Sequence, residues 1–288
     1  MNKRRLRNLA IALALMSPFL TLYTIFFIYP LAQGIMYSLY RTTPTGDYYV
    51  GAGNYLQILT FKDPRLNYGF MNTPLYAAFH ILALFLGLVF AWLLHTGKSI
   101  PKPSLIMTVI LIPNMLSWVT LGFAWNVILS IITNLLRAQG YDLWHPFADP
   151  VLARWCVASI IMWAIIGFNT LLALSTLRSI SQEYFEAAQI DGATGTQIFI
   201  HVTLPLIKPI LIFQLITAVI ASFSLFDPVA TLTQGGPAWT STSLMFYAGR
   251  QLQYAFNYGM ACAIGLFVAA IVIALSFIQY RFIYKRLV

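Results

Sequence analysis

Six long apolar runs constrain this chain more than any other feature of its sequence. Hydrophobic residues make up 59% of the 288 residues and charged residues only 9%, whereas soluble domains carry about 25% charged residues. So few charges cannot cover a folded surface with polar groups. A membrane-spanning helix needs about 20 apolar residues, and each run is about that long. The sequence therefore predicts an integral membrane protein.

The apolar runs predict six transmembrane helices, because backbone groups in lipid must be hydrogen-bonded within their own segment. We place them at Leu9–Tyr29, Pro74–Leu94, Leu105–Ile128, Val151–Leu174, Pro209–Phe226 and Tyr258–Tyr280. The loops between them lack the long polar runs of a separate domain. Residues 1–288 are therefore predicted to form a single all-α transmembrane domain.

The first run resembles a signal peptide, since basic residues precede it and Ala12-Leu13-Ala14 imitates a cleavage site. Only a few apolar residues come before that site, however, and the run continues to Tyr29. These two features favour an uncleaved first span.

The positions of the basic residues predict the orientation. Eleven of the 17 lysine and arginine residues, including four before the first span and three after the last, fall on the side of the two termini. Because basic residues concentrate on the cytoplasmic side of a membrane protein, both termini are predicted to be cytoplasmic. The basic residues behind the net charge of +9 flank the spans and do not form a basic patch. Their positions argue against nucleic acid as a partner.

No pattern in the chain indicates catalysis or a metal site. Cys156 and Cys262 lie inside apolar runs, the four histidines lack metal-ligand spacing, and no acidic residue lies in the middle of a span. Gly97-Lys98-Ser99 imitates the end of a phosphate-binding loop but lacks its first glycine and its preceding strand. The sequence thus predicts no catalytic residue, no metal and no ATP site. It also disfavours an ion-coupled transporter, which usually needs ionisable groups near the bilayer centre.

The segment at about 179–207 is unusually polar and punctuated. Ser179 or Ser181 is predicted to cap a short helix, and Gly192, after Asp191, to end it in a left-handed turn. Thr194 and Gln197 predict a capping box at a second helix. We expect the chain to bend at Leu204-Pro205 towards the fifth span. A compact helix–turn–helix of this kind is longer than a connection needs, and it suits docking to another protein.

The same segment resembles a known signature. Glu186-Ala187-Ala188, Gly192, Val202 and Leu204-Pro205 are similar in identity and spacing to the EAA motif of ABC-importer permeases. Elsewhere, Gly53-Asn54-Tyr55 resembles the family's lead into its second span. Phe226-Asp227 and Gly235-Gly236-Pro237 resemble the outer-loop pattern of the sugar-importer branch, with its maltose- and glycerol-phosphate-type subunits.

This resemblance implies a fold, a site and a set of partners. The fold would be the six-helix, type I (MetI-like) permease bundle with a cytoplasmic coupling helix, in the cytoplasmic (inner) membrane of a bacterium or archaeon. The partners would be a second permease subunit, two ATPase subunits that carry ATP and magnesium, and an extracytoplasmic solute-binding protein. The implied ATPase-coupling residues are Glu186, Ala187, Ala188, Asp191, Gly192, Leu204 and Pro205.

Aromatic and amide residues in spans three to five are the candidates for contact with a carbohydrate substrate. They are Trp118, Trp125, Asn126, Asn169, Phe223 and Asp227. Tryptophan at membrane interfaces and asparagine between helices also have ordinary structural roles. Glycerol phosphate or a polyol is the alternative cargo. A stand-alone channel or secondary transporter is a more remote possibility, and an intramembrane enzyme lacks a catalytic constellation.

Overall fold

The computed structural model describes residues 3–97, 101–141 and 145–281. Most of the predicted turn at Gly97-Lys98-Ser99, and the basic residues Lys285 and Arg286, lie outside these ranges. The elements, in chain order, are α1 (Lys3–Tyr23), α2 (Tyr29–Tyr37), β1 (Tyr40–Thr43), β2 (Gly46–Tyr49), α3 (Gly53–Leu59), α4 (Pro64–Thr96), α5 (Pro103–Met115), α6 (Trp118–Ala138), α7 (Leu152–Ser179), α8 (Gln182–Ile190), α9 (Gly195–Ile198), α10 (Leu204–Phe223), α11 (Asp227–Leu232), α12 (Leu244–Gln253) and α13 (Tyr258–Gln279).

Six helical stretches among these residues are long and apolar enough to cross a membrane. They are Ile11–Tyr37, Pro64–Thr96, Trp118–Ala138, Leu152–Ser179, Gly195–Phe223 and Tyr258–Gln279. The predicted number of spans and the helical fold class are therefore confirmed. The predicted sixth span differs from α13 by a single residue.

The prediction of one continuous third helix at Leu105–Ile128 is wrong. α5 ends at Met115, Leu116 is extended, and the long apolar helix is α6. The side chain of Ser117 accepts a hydrogen bond from the Thr120 amide, which caps a new helix start. Pro113 in the last turn of α5 removes a further backbone donor. An apolar count cannot detect this break, because the residues on both sides are equally hydrophobic.

At Leu204-Pro205, where the sequence predicts a bend, α9 continues into α10 as one helical stretch, and the bend itself stays a prediction. A π-helical turn, Phe199–Thr203, joins the two helices, and the Leu204 amide donates to the Phe199 carbonyl five residues earlier. A second π turn, Thr24–Ile28, precedes Pro30 in the first span. Proline lacks an amide proton and its ring collides with the carbonyl four residues before it. Widening the preceding turn lets the helix accept the ring and continue.

The fifth span ends earlier than predicted. α10 stops at Phe223, and Asp227 begins a separate short helix, α11, in which Pro228 occupies the first turn. Proline is well tolerated there because the amide it lacks would have no partner within the helix. The prediction of a span reaching Phe226 is therefore wrong by one turn.

The described residues divide into two compact units. The first contains residues 3–62 with Ala248–Phe267, and the second contains Asp63–Tyr247 with residues 268–281. Whether they act as the single predicted domain stays a prediction.

The first unit contains an antiparallel hairpin that the sequence did not predict. In it β1 pairs with β2, with Tyr40 opposite Tyr49. The buried amide of Asn54 donates to the carbonyls of Ser38 and Tyr40, both at 2.8 Å. These bonds fix the hairpin against the end of the first span.

The second unit is a helix bundle with a buried cluster at each end. One cluster joins the start of α4 and of α7 to α11 and includes Tyr76, Val157, Ile161, Val229 and Leu232. The other joins the ends of α4 and α7 to the start of α10 and includes Leu88, Ala91, Leu174, Leu177 and Ile207. α4 packs along α7 between them.

Polar side chains of α4 hold the loop that follows α11. The Asn72 amide donates to the carbonyls of Thr240 and Thr242, and the Tyr76 hydroxyl donates to the Ser241 carbonyl at 2.6 Å. All three backbone acceptors are therefore satisfied inside the protein. The loop lies against α4 in one arrangement rather than as a free connection.

Asp63, which caps the start of α4, is part of the same end of the unit. It accepts hydrogen bonds from the Arg65 backbone and from the Tyr247 hydroxyl. Burial raises the pKa of Asp63, but the bond from Tyr247 and the amide and charge of Arg65 outweigh it and hold that pKa below its usual value. The carboxylate is thus ionised and ties α12 to α4.

Gly167 is predicted to be essential for the packing of α5 on α7. A Cβ atom at this position would collide with the Ile110 carbonyl oxygen. We expect Gly167→Ala to cost about 1–3 kcal/mol through overpacking. Gly265→Ala is the matched helical control, because a Cβ atom there meets nothing within 4 Å. This substitution should stabilise the folded protein by up to about 1 kcal/mol. Thermal unfolding in detergent measures both changes. Equal midpoints for the two variants would contradict the packing argument.

Candidate functional site

The exposed segment after α7 begins with the helix cap that the sequence predicts. Ser181 is the capping residue of α8, and its hydroxyl accepts from the Glu183 amide. The carboxylate of Glu183 lies in the first turn, where it interacts favourably with the helix dipole. Ser179, the other candidate, is the last residue of α7.

α8 ends in a Schellman motif that requires a left-handed residue. The Gly192 amide donates to the Gln189 carbonyl and the Ala193 amide donates to the Ala188 carbonyl, both at 3.0 Å. Gly192 has φ of +76°, which glycine adopts without the penalty of a side chain. The predicted helix stop at Gly192 is therefore present with its full hydrogen-bond pattern.

α9 begins with the predicted capping box. The Gln197 side chain accepts from the Thr194 amide at 2.7 Å, and the Thr194 hydroxyl accepts from the Gln197 amide at 3.4 Å. Two amides that would otherwise lack partners are satisfied reciprocally. α8, the turn and α9 thus form a segment with defined ends on both helices, which we call the coupling segment (residues 181–198).

The face of the coupling segment formed by the predicted coupling residues is largely open. Glu186, Ala187, Asp191 and Gly192 are exposed, and Ala188 is half-buried. Beside them Ile190 is 86% exposed. This face therefore combines a large apolar side chain with acidic and small residues.

A shallow cavity of about 310 Å³ lies next to this face. It is lined by Asp191, Gly192, Ala193, Gln197, Ile198, His201 and Val202. Its lining mixes a carboxylate, an amide and an imidazole with apolar groups. A cavity with this lining has room for a polar or an apolar side chain.

Leu204 and Pro205 lie outside this face. Both belong to α10, where Leu204 packs against the buried cluster at this end of the bundle and Pro205 is exposed. The structure thus brings together five of the seven predicted coupling residues. The other two lie in the helix that continues from the segment.

The candidate substrate residues do not form one cluster. Trp118 and Trp125 are partly buried on α6 and pack against the cluster around Val157 and Val229. The Asn126 amide donates to the carbonyls of Gly122 and Leu232. Asn126 therefore holds α11 on α6, and its donors are already used.

Asn169 lies elsewhere in the bundle. Its carbonyl groups, both main-chain and side-chain, accept from the Gln214 amide at 3.1 and 3.3 Å, which links α7 to α10. Phe223 is the last residue of α10, and Asp227 is exposed at the start of α11. None of these three residues is in the lining of the described cavity that contains Trp125.

The sequence reasoning missed two tryptophans that lie beside Trp125. The Trp125 and Trp163 rings are 5.4 Å apart and perpendicular, and with Trp155 they line an open cavity of about 380 Å³. Trp155, Ser159 and Trp163 are spaced four residues apart on α7. This spacing places them on one helix face, and it is the signal that could have found them.

No group of three or more histidine, cysteine, aspartate or glutamate side chains lies at metal-binding distance within residues 3–97, 101–141 and 145–281. The expectation that the chain binds neither a metal nor a cofactor stays a prediction.

Comparison with known proteins places most of the chain in one family profile. Residues 65–287 match the profile described as "Binding-protein-dependent transport system inner membrane component". The sn-glycerol-3-phosphate transport system permease protein UgpA of Yersinia pestis is 29% identical over 282 residues, which cover 94% of this chain and 93% of the relative. The lactose transport system permease protein LacF of Rhizobium radiobacter is 27% identical over 275 residues, which cover 92% and 91% of the two chains.

Two solved structures share the fold. One is a chain of a bacterial ABC transporter involved in the import of the acidic polysaccharide alginate, with a TM-score of 0.84, 20% identity and 98% coverage of both chains. The other is a chain of the alginate ABC transporter in complex with an alginate pentasaccharide-bound periplasmic protein, with a TM-score of 0.83, 21% identity and coverage of 96% and 95%.

Gly192 is predicted to hold the turn of the coupling segment through its backbone conformation alone. Gly192 and Gly195 are both exposed, and a Cβ atom on either would meet nothing within 4 Å. Of these two glycines, Gly192 alone has positive φ. We expect Gly192→Ala to weaken the Schellman bonds by about 1 kcal/mol or more and Gly195→Ala to leave them intact. Hydrogen exchange of residues 182–198 measures this. Gly192→Asn should retain most of the protection, because asparagine tolerates the left-handed region. Equal protection in the two alanine variants would be evidence against this role.

Proposed function

The chain belongs to the family of binding-protein-dependent transport system inner membrane components, and on that premise we propose that it is the permease subunit of an ATP-driven sugar importer. It forms the translocation pathway together with a second, different permease subunit. Two ATPase subunits supply the energy, and an extracytoplasmic solute-binding protein delivers the cargo. ATP and magnesium are bound by the ATPase subunits, so this chain is not itself an enzyme.

The observation that carries this proposal is the open face of the coupling segment. Its ends are fixed by a cap, a Schellman motif and a capping box, yet Glu186, Ala187 and Ile190 are exposed in the part of the chain that the structure describes. A rigid segment with an unoccupied face is suited to enter a groove of another protein. Ala187 and Ala188 permit close approach, and Glu186 provides a charged anchor.

Coupling follows from a difference in contacts between two states. When the ATPase pair closes on ATP, the docked coupling segments move with it, and the pathway changes the side on which it is open. A ligand shifts such an equilibrium only by its differential affinity for the two states. The work done on the pathway therefore comes from ATP bound by the partner and passes through residues 181–198.

Carbohydrate is the proposed cargo. The lactose permease among the relatives supports it, as do the tryptophans of the cavity between α6 and α7. Indole rings offer flat apolar faces against which the C–H groups of a sugar ring can stack, and few polar groups are then needed to orient the ligand. Trp118, Trp125, Phe223 and Asp227 remain proposed contacts. Asn126 and Asn169 are weaker ones, because their amides already bind carbonyl groups.

An anionic cargo is the second candidate, and one observation favours it. The Nε atom of Arg154, on the first turn of α7, is buried without a hydrogen-bond partner among the residues that the structure describes. A phosphate oxygen is a strong acceptor for a guanidinium. Glycerol phosphate, the cargo in the name of UgpA, would supply one. No arginine lies in the middle of a predicted span, and this speaks against an anionic cargo.

The location follows from the six spans and the positive charges. Multi-pass insertion rests on the apolar helices. The excess of lysine and arginine on the side of the termini supports a cytoplasmic position for both termini and for the coupling segment. The membrane is the inner membrane of a bacterium or archaeon.

Reversing the charge at Glu186 is predicted to uncouple transport. We expect Glu186→Lys to reduce ATP-dependent uptake about tenfold or more, because a charge anchor at an interface becomes a repulsive contact. The measurement is sugar uptake by proteoliposomes that hold the complete importer. Asp47→Lys changes the net charge equally on the exposed hairpin and should transport normally.

Two results would contradict the division of labour in this proposal. One is full uptake by Glu186→Lys together with full uptake by Gly192→Trp, which would remove the docking role. The other is ATP hydrolysis by the purified chain without a partner ATPase.

Arg154 is predicted to distinguish the two cargo classes. If the importer carries a neutral sugar, Arg154→Gln should change uptake less than about twofold. If it carries glycerol phosphate, the same change should lower uptake about tenfold, because one charge-assisted bond is lost. Uptake of labelled lactose and labelled glycerol phosphate, each measured in both proteins, decides between them. Uptake of glycerol phosphate that falls about tenfold in Arg154→Gln would overturn the proposed carbohydrate cargo.

A further inference from the structure

A single buried aromatic ring attaches α8 to the bundle. Phe185 is 7% exposed and is the one buried residue of that helix. Its ring lies 5.6 Å from the ring of His95, in the last turn of α4. The remaining side chains of α8 are exposed or half-buried. Among the residues that the structure describes, this pair of rings joins α8 to α4, and α8 also contacts the π turn Phe199–Thr203.

The aromatic rings of α4 also contact the residue that follows α9. His95 and Trp92 are 6.2 Å apart, and Trp92 meets Phe199 edge to face at 4.9 Å. Phe185 and Phe199 flank the turn between α8 and α9. The four rings, Phe185, His95, Trp92 and Phe199, form a row across the end of α4 that we call the aromatic clamp. Edge-to-face and tilted pairs at these separations are attractive beyond simple burial.

The clamp connects to the interior of the bundle through α4. Trp92 and Phe199 pack against the buried cluster at the ends of α4 and α7. Further along α4, Gly87 meets α7 so closely that a Cβ would lie 2.7 Å from the Asn169 Cβ and 2.9 Å from the Thr170 amide nitrogen. Contacts this tight transmit displacement, because protein interiors are close-packed and compress little. α4 and α7 are thus expected to move together.

We propose that His95 is a positioning residue that transmits movement of the coupling segment to α4, and through α4 to α7. The inference rests on the proposed function, since it concerns how the same docking segment acts on the pathway. His95 touches neither ATP nor cargo and acts through the ring of Phe185. Its role is the contact of the two rings. A side chain without a ring leaves α8 free to shift against α4, so that closure of the ATPase subunits is not passed on.

The test compares uptake with ATP hydrolysis in the complete importer. His95→Ala is reconstituted with the partner permease, the ATPase subunits and the binding protein, and both rates are measured in the same proteoliposomes. The expected result is a fall of roughly threefold to tenfold in cargo moved per ATP hydrolysed, the size typical of a residue on a coupling route. Co-purification of the ATPase subunits should be unchanged.

Four further variants separate positioning from a general loss of structure. His95→Phe keeps a ring and should restore the ratio, which a role in proton transfer would not allow. Phe185→Ala removes the other ring from an otherwise exposed helix and should reproduce the effect. The double variant should be no worse than either single variant, because both remove one contact. Phe213→Ala, at a 54% exposed position of α10, controls for loss of an aromatic side chain and should keep the normal ratio.

The outcomes keep the two proposals apart. An unchanged ratio in His95→Ala and in Phe185→Ala, with ATP-driven uptake by the unmodified importer, overturns the role of His95 and leaves the proposed function standing. Additive losses in the double variant also overturn it. Absence of ATP-driven uptake in the unmodified importer overturns the proposed function itself.

Discussion

The absence of hydrogen-bond partners in the lipid is the constraint on which this structure depends. Each spanning segment must satisfy its own backbone, which makes a proline inside a span a local problem for the helix. At Pro30 and Pro205 the chain solves it in the same way, with a π turn immediately before the proline. At Pro113 the helix ends instead, and the hydroxyl of Ser117 starts the next one. Whether a proline bends, widens or ends a helix is thus decided by its neighbours.

This local dependence explains which parts of the fold the sequence could predict. α13 has no internal proline and was predicted to within one residue. The third span was predicted as one helix because hydropathy does not register a capping hydroxyl among apolar residues. The hairpin β1–β2 was missed because its strands are four residues long. They are stabilised by Asn54 and Thr42, which contact residues distant in sequence.

The two candidate sites also differ in how much of their structure the sequence predicts. The coupling segment was predicted in detail, because its cap, Schellman motif and capping box use partners within five residues of one another. The substrate residues were chosen by residue type, and their grouping depends on helix packing that a single sequence does not encode. Trp163 lies beside Trp125 only because α6 and α7 are neighbours. Asn169 is drawn to α10 by Gln214, which is 45 residues away.

The buried amides show why aromatic rings are the better candidates for cargo contact. Asn72, Asn126 and Gln214 each donate to a backbone carbonyl of a neighbouring element. Withdrawing an amide from such a bond exposes a buried polar group, at a cost of about 1–3 kcal/mol. A sugar hydroxyl would have to replace that bond before it gained anything. The faces of Trp155 and Trp163 are already partly exposed, so a sugar can stack on them without breaking an internal hydrogen bond.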